Sequence, residues 1–453
     1  MTEDQHTEDQ RTEDQSPPFL RALLAEPGFP GESVLPPLDP RDEMLEFLAG
    51  NYAGDRDRGL FTYHRSGRSI ADTLAQVLSW RFGAGLHAPG RTERLLDFAS
   101  GYGRITRFLL QSLPRERLWV SDVYAEAVRF QEERFGVHGL VSSIRPEDLV
   151  CAEGFDAITV TSLFTHLPEE RFVGWLRRLL GLLRPGGVLL FSAHGEVLLD
   201  PEVVMPETGF VFQELSESRS LETSDYGSTW VTEGFVQSAV ARACEEPVSL
   251  WRAPRALCNF QDLYVAVREE GVDFSGLNLH LEPLLLIETC ELEAPDRLAL
   301  SGWTVALSGA AREVQAALDG RVVATAVVEG RRDDVAAAFG DERLARSGWA
   351  LTVPLPLGVS RNAAVLVVRV VDGRGVGHPL WAGTVESARL HGAQQNLAAV
   401  RRRLDEAEAK LAETEGRAAA ESAALQARLA HMEASRFWKL RNAWFRLKGV
   451  FSG

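Results

Sequence analysis

Cysteine is scarce. The 453 residues hold four (Cys151, Cys244, Cys258 and Cys290), and none forms a C-x-x-C pair. That spacing argues against a disulfide framework or a zinc site, so no metal is expected and reduced thiols in a cytoplasm are. Long apolar runs are missing too. None reaches the roughly 18 to 20 residues that cross a bilayer, and the opening MTEDQHTEDQRTEDQ is too acidic and polar for a secretory signal. Positive charge is in deficit: 48 Lys and Arg face 64 Asp and Glu, a formal net charge of −16. A general nucleic-acid binder needs a basic surface, so no nucleic-acid partner is expected. The remaining composition, 45% hydrophobic and 25% charged, is that of a globular chain with room for two or three cores.

Residues 95–110, LLDFASGYGRITRFLL, organise the rest. An apolar run ends in Asp97, a small-residue turn follows, and Ile105, Phe108 and Leu109 resume at helical spacing. A tight strand-to-helix turn of this kind lets a ligand approach the backbone and meet the N–H groups of a helix start. The dinucleotide pattern G-x-G-x-x-G is broken, because Thr106 stands at its third glycine. The acid-x-G-x-G-x-G turn fits Asp97, Ala99, Gly101 and Gly103 with one substitution, Ala99 for the first glycine. A second strand, LWVSDV, ends at Asp122, 19 positions after Gly103, where one carboxylate can accept both hydroxyls of a ribose. Further on, Leu183-Arg184-Pro185-Gly186-Gly187-Val188-Leu189 reads as a helix end, a turn and a fifth strand, and 261–269 as a final antiparallel strand.

These elements, in this order, resemble the class I, seven-stranded, Rossmann-like methyltransferases that use S-adenosylmethionine (SAM), over residues 95–269. The resemblance implies an α/β fold with SAM as cofactor. It implies cofactor contacts at Asp97, Ala99, Ser100, Gly101, Gly103, Asp122, Val123, Ser142 and Ser162. Where relatives place an acid near the third strand end, this chain has Ser142 and Ser143. Relatives also cover the cofactor with an N-terminal helical segment, which points to Tyr63 and Arg65. Methyl transfer often needs a base, and His166 and His194 follow the fourth and fifth strands, where an imidazole can take a proton at neutral pH. Substrate contacts are expected from the insertion after strand five, at Asp225, Tyr226 and Thr229, because ligands sit beyond the carboxyl ends of such strands.

The flanks differ in grammar. Residues 1–40 carry a threefold TEDQ repeat and a proline-rich lead-in, and are expected to be disordered and extended. Residues 41–92 form a cap, helical in pieces with LFTYHRSGRS between them, before a methyltransferase domain over 93–272. Short alternating runs with Gly turns over 281–385 predict a small β-sandwich, with Trp303 and Trp349 in its core. Over 388–434, Leu390, Leu397, Leu404, Leu411, Ala418, Leu425 and Met432 recur every seven residues, the pattern of a dimeric coiled coil. Residues 435–453 are basic and aromatic, suiting either a membrane face or a protein partner. Sandwich, coil and tail resemble modules of bacterial glycosyltransferases, which implies a glycosyltransferase partner or peripheral attachment to the inner membrane face. The expected activity is methyl transfer to a hydroxyl or amine of a cell-surface glycan or its precursor. A small-molecule methyltransferase, or a scaffold whose SAM fold has degenerated around Ala99, are the alternatives.

Overall fold

The structure is a computed structural model, and it describes residues 17–26, 29, 38–216, 221–434 and 438. The TEDQ repeat and the basic aromatic tail, apart from Trp438, lie outside the described residues. Two compact units divide the chain, 1–389 and 390–453.

The first unit opens with three helices, α1 (Pro18–Leu24), α2 (Glu43–Gly50) and α3 (Arg56–Phe82). Helix α1 corrects the expectation of an extended lead-in. Its Phe19, Leu20, Leu23 and Leu24 are buried, and its first amides donate to the Asp57 carboxylate on α3. Apolar residues on one face and a borrowed cap suffice to hold seven residues helical. Helix α3 is continuous through LFTYHRSGRS, where a break was expected. Its glycines are points of close approach: a Cβ on Gly59 would lie 2.9 Å from Ala49 Cα of α2, and one on Gly67 2.4 Å from the Arg104 carbonyl oxygen.

The βα alternation then follows: β1 (Leu95–Phe98), α4 (Thr106–Leu109), β2 (Leu118–Asp122), α5 (Ala125–Phe135), β3 (His138–Val141), β4 (Phe155–Val160), α6 (Glu169–Leu182) and β5 (Leu183–Gly195). An insertion adds β6 (Phe210–Gln213), β7 (Ser228–Val231) and α7 (Glu233–Ala243), before β8 (Ser249–Leu257) and β9 (Gln261–Val267) close the sheet. The main path runs β3-β2-β1-β4-β5-β9-β8, seven strands with β9 antiparallel to both neighbours. The β6–β7 hairpin makes nine, because β7 pairs with the last two residues of β5, His194 and Gly195. Alternate residues enter opposite cores: Leu96, Phe98, Ile158 and Leu189 pack towards α6 and α7, Leu95, Val120, Ala157 and Val188 towards α3. The Pro185-Gly186-Gly187 turn is a bulge inside β5, with Gly186 at φ 75°.

Two more sheets complete the unit. Strands β10 (Leu284–Ala294), β11 (Arg297–Val305) and β14 (Gly348–Pro354) form one; β12 (Ala311–Leu318), β13 (Arg321–Val327), β15 (Val365–Asp372) and β16 (Gly377–Thr384) form the other, and α8 (Asp333–Phe339) lies between β13 and β14 in sequence. Their facing sides share one apolar core containing Trp349, while Trp303 is half-buried against Phe339. Helix α9 (Val385–Ala434) starts in that core with Val385 and Ala388 and continues as the second unit. Among the described residues no helix is long and apolar enough to cross a membrane.

Candidate active site

The carboxyl ends of β1, β2 and β4 open into a cavity of about 440 Å³, within the range of small-molecule sites. The turn after β1 forms its floor. Ala99 and Gly101 both adopt left-handed backbone, at φ 56° and 54°. Gly101 needs this freedom, and a Cβ there would meet nothing within 4 Å. Ala99 holds the same conformation with a methyl group, at a cost of about 1 to 2 kcal/mol. Gly103 is different: it does not line the cavity, and a Cβ there would sit 2.4 Å from the Phe135 ring. It was expected to touch cofactor; instead it seats α5 against the turn.

Asp122 ends β2 with its carboxylate fixed by two backbone donors, Gly101 N at 2.7 Å and Tyr124 N at 3.1 Å. Each oxygen has a second lone pair, so the group can still accept from a ligand diol. Asp97 ends β1 nearly buried and accepts from Thr106 Oγ1 (2.8 Å) and Thr159 Oγ1 (3.2 Å). Burial outweighs these bonds and pushes its carboxyl up to about 6. Ser100, Val123, Ser142 and Ser162 also line the cavity.

Sequence reasoning missed one wall. Arg41, Asp42, Glu43 and Met44, at the start of α2, face the cavity in place of Tyr63 and Arg65. Tyr63 is buried behind them and donates to Asp42 Oδ2 at 2.6 Å, while Arg65 pairs with Glu282. Asp42 also caps α2 by accepting from Met44 N. The available signal was D-E-M before a helical apolar pattern, a capping aspartate.

The opposite wall carries His166, Asp225 and Tyr226. His166 stacks on Tyr226 with ring centroids 4.3 Å apart, and its Nδ1 lies 2.7 Å from the Gly227 carbonyl oxygen. A carbonyl only accepts, so this contact assigns the proton to Nδ1 and the basic lone pair to Nε2. Asp225 is paired with Arg171. Two expected residues are displaced from the cavity. Thr229 is buried, donating through Oγ1 to Leu167 O at 2.6 Å and through its amide to Thr165 O, so it fastens the hairpin to the His166 loop. His194 lies behind His166, ring centroids 6.4 Å apart, its Nδ1 without a hydrogen-bond partner. Burial lowers its pKa to about 4, and it stays neutral near pH 7. Its strand end is covered because β7 pairs there.

A seven-strand sheet with antiparallel β9, a glycine turn after β1 and an acid ending β2 define the class I SAM-dependent methyltransferase fold. Residues 96–189 match the family described as "Methyltransferase domain". Trans-aconitate 2-methyltransferase of Rhodopseudomonas palustris strain BisA53 is 26% identical over 256 residues, 56% of this chain and 89% of that protein. Its counterpart from strain BisB18 is 25% identical over 231 residues, 51% and 83% of the two chains. A solved SAM-bound amino pentose methyltransferase of Micromonospora echinaspora aligns with 15% identity and a TM-score of 0.32, over 45% of this chain and 92% of that one. The chain is a SAM-dependent methyltransferase, and SAM is its cofactor.

The residues present fit that cofactor. The Asp122 carboxylate matches a ribose diol, the open space above Gly101 admits a ligand against the backbone, and the nearby acids suit a ligand of net positive charge.

Proposed function

We propose that the protein methylates a hydroxyl or amine of a glycan or glycan precursor. The observation that carries this reading is the charge of the cavity. Beyond Asp97 and Asp122 it is lined by Asp42, Glu43, Glu126 and Asp225, the last paired with Arg171, against Arg41 and Arg104. Both arginines are engaged, Arg41 with Asp39 and Arg104 with Ser66 Oγ. Such a lining disfavours a polyanionic acceptor and tolerates a neutral or amine-bearing one.

In this proposal Asp122 would accept the ribose hydroxyls, and the backbone of Ser100 and Gly101 would help to hold the cofactor. Bound SAM supplies the electrophilic methyl group. His166 takes the acceptor proton at Nε2, while its Nδ1–H donates to Gly227 O and keeps the tautomer; Tyr226 and Asp225 position the acceptor. The cavity walls would position acceptor and cofactor for an in-line displacement, a gain from proximity and orientation.

A second reading, a small-molecule carboxylate methyltransferase, is favoured by the name of the two R. palustris relatives, which cover most of their own length in the match. Methyl-labelled SAM offered with neutral sugars, amino sugars and lipid-linked glycans, beside trans-aconitate and similar acids, separates the two. Label on a hydroxyl or amine is expected. Preferential labelling of the polycarboxylates would overturn the glycan reading.

A further inference from the structure

The second unit presents an apolar seam to solvent. Helix α9 runs unbroken to Ala434, so its part beyond Leu390 spans about 67 Å at 1.5 Å per residue. Leu390, Leu397, Leu404 and Leu411 recur every seven residues and are 56% to 70% exposed; Val400, at the alternate seam position, is 61% exposed. A helix this long is held chiefly by packing of its apolar face, and among the described residues nothing covers it.

We infer that a second copy of this chain covers the seam, as a parallel, in-register two-stranded coiled coil over 390–417. Charge decides both occupant and direction. With Leu390 at heptad position a, the g positions are Arg403 (by sequence register), Lys410 and Arg417, and Glu408 and Glu415 are at e. In a parallel pair each g side chain meets the e position five residues on in the other copy. Lys410 then meets Glu415, twice by symmetry. The g–e contacts of Asn396 with Arg401 and of Arg417 with Ser422 contain no like charges. An antiparallel pair would instead set g against g, and all three of those positions are basic. Gly416 falls at f, on the outer face, where it does not interrupt the seam. The contact loosens beyond 417, because Glu421 and Arg428 occupy d positions and a parallel register sets each against its own copy.

The full chain tests this. Light scattering at micromolar concentration should give twice the monomer mass, and Leu404→Asp with Leu411→Asp should return the monomer while leaving SAM binding in place. Leu397→Cys should form a covalent dimer on mild oxidation that the parent chain, with its four native cysteines, does not. Lys410→Glu should weaken the dimer by on the order of tenfold across its two symmetric contacts, and adding Glu415→Lys should restore it. A monomeric parent chain, a dimer that survives the double aspartate variant, or a dimer that the Leu397→Cys substitution does not make cross-linkable would each overturn the inference. So would recovery of a stoichiometric complex with a different protein's helix in place of the dimer.

Discussion

Replacing Asp97 by asparagine should flatten the pH dependence of SAM binding between pH 5 and 7. Asp97 is buried at the end of β1, and burial raises its pKa from 3.8 to about 6 despite the Thr106 and Thr159 hydroxyls. The free protein therefore has roughly a tenth of its Asp97 ionised at pH 5 and roughly nine tenths at pH 7. A sulfonium-bearing ligand favours the ionised form. If binding draws on that form alone, affinity rises about tenfold across this interval, and close to one proton leaves per SAM bound at pH 5. Calorimetry in two buffers of different ionisation enthalpy reads both quantities. Asp42 and Asp122 also have carboxyls raised by burial, which is why the variant matters: Asp97→Asn removes only its own share. The same shift acts on folding. Because the native pKa is the raised one, the native state keeps its proton longer than the unfolded chain. The contribution of Asp97 to stability is therefore fully present below about pH 4 and is lost as pH rises through about 6, a change of roughly 3 kcal/mol. Affinity independent of pH in the parent, or an unchanged slope in Asp97→Asn, would refute the reasoning.

Asp122→Ala should weaken SAM binding by roughly 1.5 to 3 kcal/mol, the worth of hydrogen bonds to a charged acceptor, measured by calorimetry on folded protein. His166→Gln should lower kcat by about 10²- to 10⁴-fold with little change in SAM affinity, as expected of a base that does not hold the cofactor. Retained kcat would remove His166 from the chemistry. Gly103→Ala should cost about 1 to 3 kcal/mol of stability by denaturant titration, since its methyl must displace the Phe135 ring.

The central sheet was legible in the sequence because buried parallel strands are short apolar runs, and their terminal acids, Asp97 and Asp122, mark the ligand-facing end. Whatever depended on packing between distant segments was not. Glycine lowers local helix propensity, and nothing in the local sequence shows that Gly59 and Gly67 mark where α2 and the Arg104 carbonyl press against α3. Tyr63 was placed in the right neighbourhood but one layer too shallow; it lies behind the cavity wall, and the cavity sees the aspartate it supports. His194 and Thr229 failed for a topological reason. The β6–β7 hairpin pairs with both residues at the end of β5, so that end is continued by another strand and does not line the cavity. Periodicity within the insertion gives no hint of that partner.

Helix α1 gives the catalytic half and the β-sheets after it a common wall. Phe19 and Leu23 share one apolar cluster with Phe61 of α3 and with Val365, Val367 and Ala382 of the sandwich. Beside it Glu26 and Arg369 form a buried ion pair. The helix that backs the active-site cap is thus also masonry for the sandwich. Rocking of α2 and α3 to admit SAM would have to carry that second body along, or shear an oil-filled joint. The sandwich thus shares its apolar surface with α1 and α3, the helices on which the overlooked wall of the active site rests.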